Sequence, residues 1–448
     1  MPERAAKRPK LLAIASWSML ALLGFTSLLL AQSEPSATDK DGARTIMQGG
    51  EDPAGSPVVL SAAQRAVLGR LMASPETVNV SMPFLRCPSD HSSVTKVILP
   101  LSDGKNVTFL RTRPPLHLDG GLTWRGEVEE TNEPAFLMLW KDGSISGYFA
   151  YNGRLFAVEQ MGSGLHTVAE LSEPPTHAPP PTDRSADARL RNHLAARDAA
   201  MAAALRPPRH EPAVAAFPDA ERLALQAKQI TINVMLLFTK RVASRYIGNL
   251  ADRLPFVIEF SNQTFENSGI GNIRLRLVHS QMIDYDEAGA EHFDIVYGMA
   301  DGTGPFKGLA KLRDEKRADI VGIIVDNPQG CGLSTRVGAD ASEAFFVVHH
   351  SCAVVTYSVA HEIGHILGAR HDRSVDDSDT PFPYAHGYIN QTSRWRTIMS
   401  YNAGCGGCRR IPYWSNPRGL YRGDPTGTLA NDNARVLLEQ AERVANFK

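Results

Sequence analysis

The chain has 448 residues, 43% of them hydrophobic and 21% charged, which indicates two or three globular domains with full cores rather than one domain or a disordered chain. Its 47 basic and 48 acidic side chains leave a net charge of −1. This balance excludes the strong positive field that nucleic-acid partners and anionic membrane surfaces attract.

The first 33 residues have the pattern of an export signal. Four basic residues precede an uncharged apolar run at 11–31, and Ala31-Gln32-Ser33 resembles a cleavage site. The run is also long enough to span a bilayer, so a retained membrane anchor is the alternative to a cleaved signal. In both cases the rest of the chain leaves the cytoplasm, and we predict a secreted protein.

Residues 34–172 are predicted to form a mainly β domain. Its first part, 34–55, is rich in Ser, Pro, Gly and acidic residues and is expected to lack structure. Short runs of β-branched, aromatic and aliphatic residues then alternate with turn signals such as Ser102-Asp103-Gly104, which predicts a small antiparallel sheet. The clearest predicted strands are 94–99, 107–110, 136–140 and 147–150.

A linker is predicted at 173–227, because this segment opens with five prolines in ten residues and continues rich in Ala and Arg. The second domain, 228–448, alternates strand and helix patterns, which predicts an α/β fold. Its predicted strands are 230–238, 273–278 and 320–325, and its predicted helices are 253–267, closed by Gly269, and 432–447.

The segment His361-Glu362-Ile363-Gly364-His365-Ile366-Leu367-Gly368-Ala369-Arg370-His371 is the most informative part of the chain. A buried helix is predicted over 354–367, and on it His361 and His365 lie one turn apart, so both imidazoles point to the same side. Gly368 can adopt the left-handed conformation that ends a helix, which lets His371 return as a third ligand. The pattern predicts a metal site made of three imidazoles.

Three imidazoles leave the fourth zinc position open, as in catalytic zinc sites. Glu362 lies about 100° around the helix from His361, where it reaches that position without binding the metal. Zinc then acidifies a water, and Glu362 takes its proton as general base and passes it to the leaving amine. The alternatives are a pair of core histidines, a catalytically silent zinc-binding or adhesive module, and a zinc hydrolase with a non-peptide substrate.

The extended motif, with Met399 of Thr397-Ile398-Met399-Ser400-Tyr401 as its Met-turn, resembles the metzincin metalloendopeptidases. Asp372, directly after the third histidine, is similar to the reprolysin (adamalysin) branch. Three further segments resemble bacterial reprolysin-like and peptidyl-Asp metalloendopeptidases: 331–335, 394–401 and 410–417.

This resemblance covers about residues 228–448 and implies a zinc endopeptidase that acts on protein or peptide substrates. It also implies a mostly parallel five-stranded sheet above the active-site helix, with substrate lying antiparallel along an edge strand, for which 343–348 is the candidate. Met399 would form an apolar floor beneath the metal. Residues 34–172 would be a propeptide that keeps the enzyme latent.

Specificity for Asp would require a cation in the substrate pocket, and four arginines lie near the Met-turn: Arg394, Arg396, Arg409 and Arg410. For each of them taken singly, a solvated side chain is the preferred interpretation. The acidic run 372–379 offers oxygen ligands of the kind that calcium prefers, but a solvated loop is the preferred interpretation because the ligand spacing is wrong.

The five cysteines fit an oxidising compartment. Cys331 with Cys352, and Cys405 with Cys408, are the favoured disulfides, although a C-x-x-C pair can also be redox-active or bind metal. Cys87 is left over. Its segment, Leu85-Arg86-Cys87-Pro88-Ser89-Asp90, resembles the matrixin cysteine switch, in which the thiolate fills the open zinc position, with the Cys-to-Asp spacing one residue short. An inert buried thiol is the alternative.

Tyr401, two residues after Met399, resembles the tyrosine of astacins and serralysins, whose phenol hydrogen-bonds the transition state. Reprolysins generally lack this tyrosine, so the chain combines markers of two branches. On this resemblance Tyr401 is a candidate oxyanion donor. The alternative is a core tyrosine whose hydroxyl has a backbone partner.

Overall fold

The computed structural model describes residues 44–49, 59–87, 90–118, 120–172, 215–327, 329–354 and 356–448. The export signal predicted at 1–33 lies outside these residues, as does most of the predicted linker.

The described residues of the N-terminal domain form eleven strands and one α-helix. The strands are β1 (Arg44–Gly49), β2 (Thr77–Ser81), β3 (Phe84–Arg86), β4 (Val94–Pro100), β5 (Asn106–Arg111), β6 (Leu116–Leu118), β7 (Gly121–Val128), β8 (Pro134–Trp140), β9 (Ile145–Tyr151), β10 (Arg154–Gly162) and β11 (Leu165–Leu171). The helix is α1 (Ala62–Ala73), which begins with a capping box between Ser61 and Gln64.

These strands form one sheet in the order β10-β9-β8-β7-β5-β4-β1-β3-β11-β2, with β6 beside β7. Strand β10 also pairs with β11, so the sheet closes on itself, and every pair except β1–β4 is antiparallel. The four strands expected from the sequence are all present. The expectation that 34–55 lacks structure is wrong for Arg44–Gly49, because this segment pairs with β3 and β4 in the middle of the sheet.

The C-terminal part is built on a second sheet and, among the described residues, seven α-helices. The sheet strands are β12 (Ile230–Thr239), β13 (Ile273–Ile283), β14 (Ile320–Val325), β15 (Gly332–Ser334) and β16 (Phe345–His349). The helices are α2 (Asp219–Gln226), α3 (Lys240–Ala243), α4 (Leu254–Asn267), α5 (His292–Asp301), α6 (Leu309–Lys316) and α7 (Ser358–Ile366). Short strands β17 (Ile389–Asn390), β18 (Trp395–Arg396), β19 (Arg409–Arg410), β20 (Leu420–Tyr421) and β21 (Asp424–Pro425) follow, and helix α8 (Asn433–Val444) ends the chain.

The sheet order is β13-β12-β14-β16-β15, parallel except for β15, which runs antiparallel to β16. Strand β12 shows why both faces are covered. Leu236 and Phe238 pack in the core that includes residues of α4, α7 and α8, whereas Met235 and Leu237 pack on the opposite side against residues of α5. This is the α/β arrangement that the alternation of strands and helices predicts.

Two details of the sequence interpretation are wrong. The segment 343–348 was the candidate edge strand, but β16 lies between β14 and β15 and is buried along almost its whole length, as an inner strand is. The edge on this side of the sheet is β15. The active-site helix begins at Ser358 rather than at 354, because Tyr357 is left-handed with φ +58° and a helix cannot continue through it.

Part of the segment expected to be linker packs with the C-terminal core. Phe217 is buried there, and α2 contacts α8. The other predicted elements of this domain are confirmed, with 320–325 matched residue for residue and the last helix capped by Asp432.

The two parts of the molecule share an aromatic contact. The ring of Phe136 on β8 lies 5.2 Å from that of Phe256 and 5.0 Å from that of Phe260, both on α4. Phe260 in turn stacks on Tyr357, 5.0 Å away, immediately before α7. Two ion pairs lie on the same interface, Arg253–Glu159 and Arg125–Glu266. The N-terminal domain therefore packs against the segment that leads into the histidine helix.

Candidate metal centre

Three imidazoles converge at the end of α7. His361 and His365 are buried on this helix, and their Nε2 atoms lie 3.1 and 3.0 Å from Nε2 of His371. Gly368 makes the return of the chain possible: its φ is +103°, and a Cβ there would lie 2.8 Å from the ring of Phe382. The structure thus brings together all three histidines that the sequence singles out.

Backbone carbonyls fix the orientation of the two helix imidazoles. Nδ1 of His361 lies 3.0 Å from the carbonyl of Ile398, and Nδ1 of His365 lies 2.8 Å from that of Ala369. Since a carbonyl only accepts, each Nδ1 carries the proton and each Nε2 presents a lone pair. Burial lowers the pKa of His365 to about 4, so this ring is neutral at pH 7. Such a donor set suits a divalent metal ion of the zinc type.

Glu362 lies between the helix and the sheet edge. Its carboxylate accepts hydrogen bonds from the backbone and the hydroxyl of Ser334 on β15, while burial raises its pKa to about 8. A Cβ at Gly332 would lie only 2.7 Å from Oε1 of Glu362, so this position of β15 requires glycine. The sequence analysis quoted this segment only as a resemblance and missed its contact with Glu362.

The predicted Met-turn packs beneath the helix. Met399 is fully buried, and a Cβ at Gly364 would lie 3.2 Å from its sulfur and 2.7 Å from the ring of Trp414. The helix can approach this floor closely only because residue 364 has no side chain. Met399 therefore packs against the histidine helix at Gly364, one residue before His365.

Tyr401 lies against the third histidine. Its ring centroid is 4.3 Å from that of His371 and 6.4 Å from that of His361. Burial, together with the nearby Glu362 carboxylate, raises the pKa of Tyr401 well above its usual range, so the phenol keeps its proton. A protonated phenol at this position is a hydrogen-bond donor.

Asp372 connects the third-histidine loop to the Met-turn. Its side chain is buried and accepts a hydrogen bond of 2.8 Å from the backbone nitrogen of Tyr401. The backbone nitrogen and the hydroxyl of Ser374 also donate to this carboxylate. In the sequence Asp372 served only as a branch marker, whereas in the structure it anchors Tyr401.

The four arginines near the Met-turn separate into two kinds. Three of them donate to backbone carbonyls: Arg394 to Cys405 and Gly406, Arg396 to Cys408 and Ser400, and Arg410 to Thr356 and Ser400. Arg409 instead forms a 3.1 Å ion pair with Glu133 of the N-terminal domain.

The acidic run 372–379 gives no support for calcium. Asp376 pairs with Arg370 at 3.0 Å, and Asp379 pairs with Arg373 at 2.9 Å. Within the part of the chain that the structure describes, no group of three potential ligands forms in this run. Two of its four carboxylates are thus paired with arginines.

The cysteines pair as predicted, with disulfides joining Cys331 to Cys352 and Cys405 to Cys408. Cys87 is free and partly buried against the hydrophobic core of the N-terminal domain. Burial raises the pKa of this thiol to about 12, and it does not join the described metal-ligand groups. The cysteine-switch interpretation is therefore wrong for this structure, because the thiol packs in its own domain and stays protonated.

A second group of potential ligands lies elsewhere on the sheet. Asp326, which follows β14, lies beside His349 at the end of β16 and His350 next to it. This group as a whole is not visible in the sequence, because only the pairing of β14 with β16, which sets Val325 opposite His349, brings the residues together. The His-His pair was the one visible signal.

Comparisons with known proteins agree with this geometry. The model of metallo-peptidase family M12 (reprolysin type) matches residues 228–415. A protein of Stenotrophomonas maltophilia is 28% identical over 87% of this chain and 91% of its own length. A protein of Xanthomonas campestris is 28% identical over 97% of this chain and 100% of its own length. A protein of Pseudomonas fragi is 44% identical over 42% of this chain and 99% of its own length. All three are named peptidyl-Asp metalloendopeptidase.

Proposed function

The chain belongs to metallo-peptidase family M12 and is a metalloendopeptidase, and on that premise we propose that it is a secreted, zinc-dependent enzyme made in a latent form. We assign 1–33 to a signal peptide, 34–172 to the propeptide, 173–227 to the linker and 228–448 to a catalytic domain of the metzincin fold. Its substrates are proteins or peptides, as the names of the relatives indicate for those proteins.

The observation that carries this proposal is the convergence of three imidazoles, with Nε2 of His361 and Nε2 of His365 lying 3.1 and 3.0 Å from Nε2 of His371. His361, His365 and His371 would hold the metal, and zinc is the ion best suited to neutral imidazoles in an open site. When bound, zinc supplies the Lewis acid that polarises the scissile carbonyl and acidifies the attacking water.

The protein side chains supply the proton transfers. Glu362, directly after the first histidine and bonded to Ser334, takes the proton of the water and delivers it to the leaving amine. Tyr401, in contact with His371, donates its phenolic proton as a hydrogen bond to the oxyanion. The burial of Glu362 excludes bulk water from its carboxylate.

The sheet edge provides the substrate track. Strand β15 is antiparallel to β16 and lies beside Glu362, and its outer side has no neighbouring strand in this sheet among the described residues. An extended peptide that adds to β15 gains main-chain hydrogen bonds irrespective of its side chains. The scissile bond would then pass close to the base.

Latency is supported by the interface between the two domains rather than by Cys87. The N-terminal sheet contacts α4 and Arg409 of the catalytic part, and Phe260 of α4 stacks on Tyr357, directly before the histidine helix. No helix in the described part of the chain is long and apolar enough to cross a membrane. Export is proposed from the pattern of residues 1–33 alone.

The test is Glu362→Gln, which keeps the size of the side chain but removes the base. We expect peptidase activity to fall by at least ~10³-fold while bound zinc, measured by elemental analysis, stays at one per chain. Glu315→Gln, on the exposed surface, is the matched control and should change neither quantity. Near wild-type digestion of casein by Glu362→Gln would refute the mechanism and would indicate a different base.

A further inference from the structure

Arg409 differs from the neighbouring arginines in its partner. Arg394, Arg396 and Arg410 donate their guanidinium hydrogens to backbone carbonyls of their own domain. Arg409 is bound by a carboxylate, that of Glu133, at 3.1 Å. This carboxylate belongs to the N-terminal domain, which the proposed function removes when the enzyme matures.

Glu133 is held as a fixed anion. Its carboxylate accepts hydrogen bonds from the backbone nitrogens of Asn152, at 2.5 Å, and Gly153, at 2.9 Å, and from the hydroxyl of Thr131, at 2.9 Å. The side chain is only 8% exposed. The Glu133 carboxylate is therefore ordered by its own domain and paired with an arginine of the other domain. It resembles a bound carboxylate ligand more than one half of a solvated surface ion pair.

The place of this contact is a cavity of about 400 Å³ between the domains. Arg409, Tyr357 and Tyr413 line it from the catalytic part, whereas Asn132 and Pro134 line it from the N-terminal part. Tyr357 immediately precedes α7, so the cavity lies beside the start of the helix that carries Glu362. Removal of the N-terminal domain would turn this cavity into an open groove with Arg409 on its wall.

Strand β19 links this groove to the reaction centre. Arg410, the residue after Arg409, donates to the carbonyl of Thr356 at 2.8 Å and to that of Ser400 at 3.1 Å. Thr356 lies just before α7, and Ser400 lies in the Met-turn. Arg409 and Arg410 form the short strand β19, so the backbone that places Arg409 on the groove wall also contacts the two segments that build the metal centre.

We propose that Arg409 binds the carboxylate of an acidic substrate side chain, and that Glu133 occupies this position in the intact chain as an internal substitute for it. The inference rests on the proposed peptidase function and deepens it, since it names the substrate class and the residue that selects it. A guanidinium is the side chain best matched to a carboxylate because it offers a planar pair of donors. The Asp-directed names of the relatives are consistent with this chemistry.

The first test measures specificity in the enzyme as it is secreted from the full-length chain. Two peptides that differ only by Asp or Asn at one position are compared by kcat/KM. We expect the wild type to prefer Asp, and Arg409→Met to lower kcat/KM for the Asp peptide by about 10- to 100-fold with little change for the Asn peptide. Arg422→Met, which removes an exposed arginine at the rim of the same cavity, is the control and should keep the preference.

The outcomes separate this inference from the proposed function. Cleavage of neither peptide nor casein by the wild type would refute the peptidase itself. Cleavage without a preference for Asp, an Arg409→Met enzyme that keeps the wild-type Asp/Asn ratio, or an equal loss in Arg422→Met would overturn the role of Arg409 and leave the peptidase standing.

The second test examines Glu133 in the intact, zinc-loaded chain carrying Glu362→Gln, which cannot process itself. Binding of the Asp and Asn peptides is followed by fluorescence anisotropy. Adding Glu133→Gln should raise affinity for the Asp peptide by about 10-fold or more and leave the Asn peptide unchanged. Glu129→Gln, an exposed glutamate in the same turn region, is the matched control. Equal affinity of the Glu133→Gln and Glu129→Gln chains for the Asp peptide would overturn the internal substitution.

Discussion

The same sheet supports two groups of three potential metal ligands, and they differ in what surrounds them. At His361, His365 and His371, three nitrogen atoms converge, and the ring nitrogens of the first two that face away donate to backbone carbonyls. At Asp326, the carboxylate already accepts from the guanidinium groups of Arg241 at 3.0 Å and Arg245 at 2.7 Å. The first group presents nitrogen lone pairs to an added cation, whereas the carboxylate of the second group is already paired with two arginines.

Proximity of ligand atoms is therefore not sufficient to make a metal site. Two guanidinium groups neutralise Asp326 and repel a further cation, so the second group is an ion-pair network that fixes the end of the sheet. Although burial raises the pKa of Asp326, hydrogen bonds from His349, His350 and Arg245 outweigh it and hold the pKa well below its usual range. The local charge balance decides between a metal site and a network.

The strongest test of this comparison removes one histidine from each group. His365→Ala should lose the bound metal on dialysis and at least ~10³-fold of peptidase activity, because two imidazoles do not retain a catalytic zinc. His350→Ala should keep both. Elemental analysis and a peptide assay on the two variants check this, and loss of a second metal equivalent from His350→Ala would contradict our distinction.

Within the metal centre, Tyr401→Phe tests whether a group beside the ligands acts in catalysis. The substitution removes one hydroxyl and keeps the ring packed on His371. We expect kcat to fall by ~10²–10³-fold with KM, zinc content and thermal stability nearly unchanged, because only an oxyanion donor is lost. Steady-state kinetics measures this. A wild-type kcat in the Phe variant would show that Tyr401 has only a structural role.

At the second group the expected effect is on folding. Asp326→Asn leaves Arg245 and Arg241 without their anion and should lower the free energy of unfolding by about 2 to 3 kcal/mol, since the carboxylate is buried but Arg241 is half exposed. Urea denaturation measures this change. Zinc content should stay constant, and a stable Asp326→Asn protein that has lost metal would reverse our assignment.

The smallest expected effect is a dependence of stability on pH at the same group. Burial lowers the pKa of His350, with His349 and Arg245 acting in the same direction and Asp326 opposing them. Tyr246 also contacts this ring. The folded state then binds fewer protons than the unfolded state just below the unfolded pKa of about 6.5, so stability is lost as the pH falls through that range.

His350→Gln removes this contribution. Between pH 7.5 and 5.5 the free energy of unfolding should fall in both proteins, but by about 1 kcal/mol less in His350→Gln than in the wild type. This is the size of effect expected from the lowered pKa of a single histidine. Other buried histidines contribute equally to both proteins and cancel in the difference. Identical pH dependence in urea denaturation would show that His350 titrates normally.

The sequence by itself determined the features that depend on short spacing. An interval of four residues on a helix is enough to place His361 beside His365, and a glycine three residues later is enough to turn the chain back to His371. Local patterns also predicted four of the eleven described strands of the first sheet, three of the five of the second, and the last helix. Such features depend on backbone geometry over one or two turns, which neighbouring residues fix among themselves.

Only the tertiary structure decided the contacts between distant segments. It placed Gly332–Ser334 rather than 343–348 at the sheet edge, and it joined Asp326 to His349 through the pairing of β14 with β16. It also packed Cys87 against the core of its own domain. It paired Arg409 with Glu133, which lies 276 residues away in the chain. No local pattern encodes these pairings, because each depends on how whole elements pack and on which charges that packing brings together.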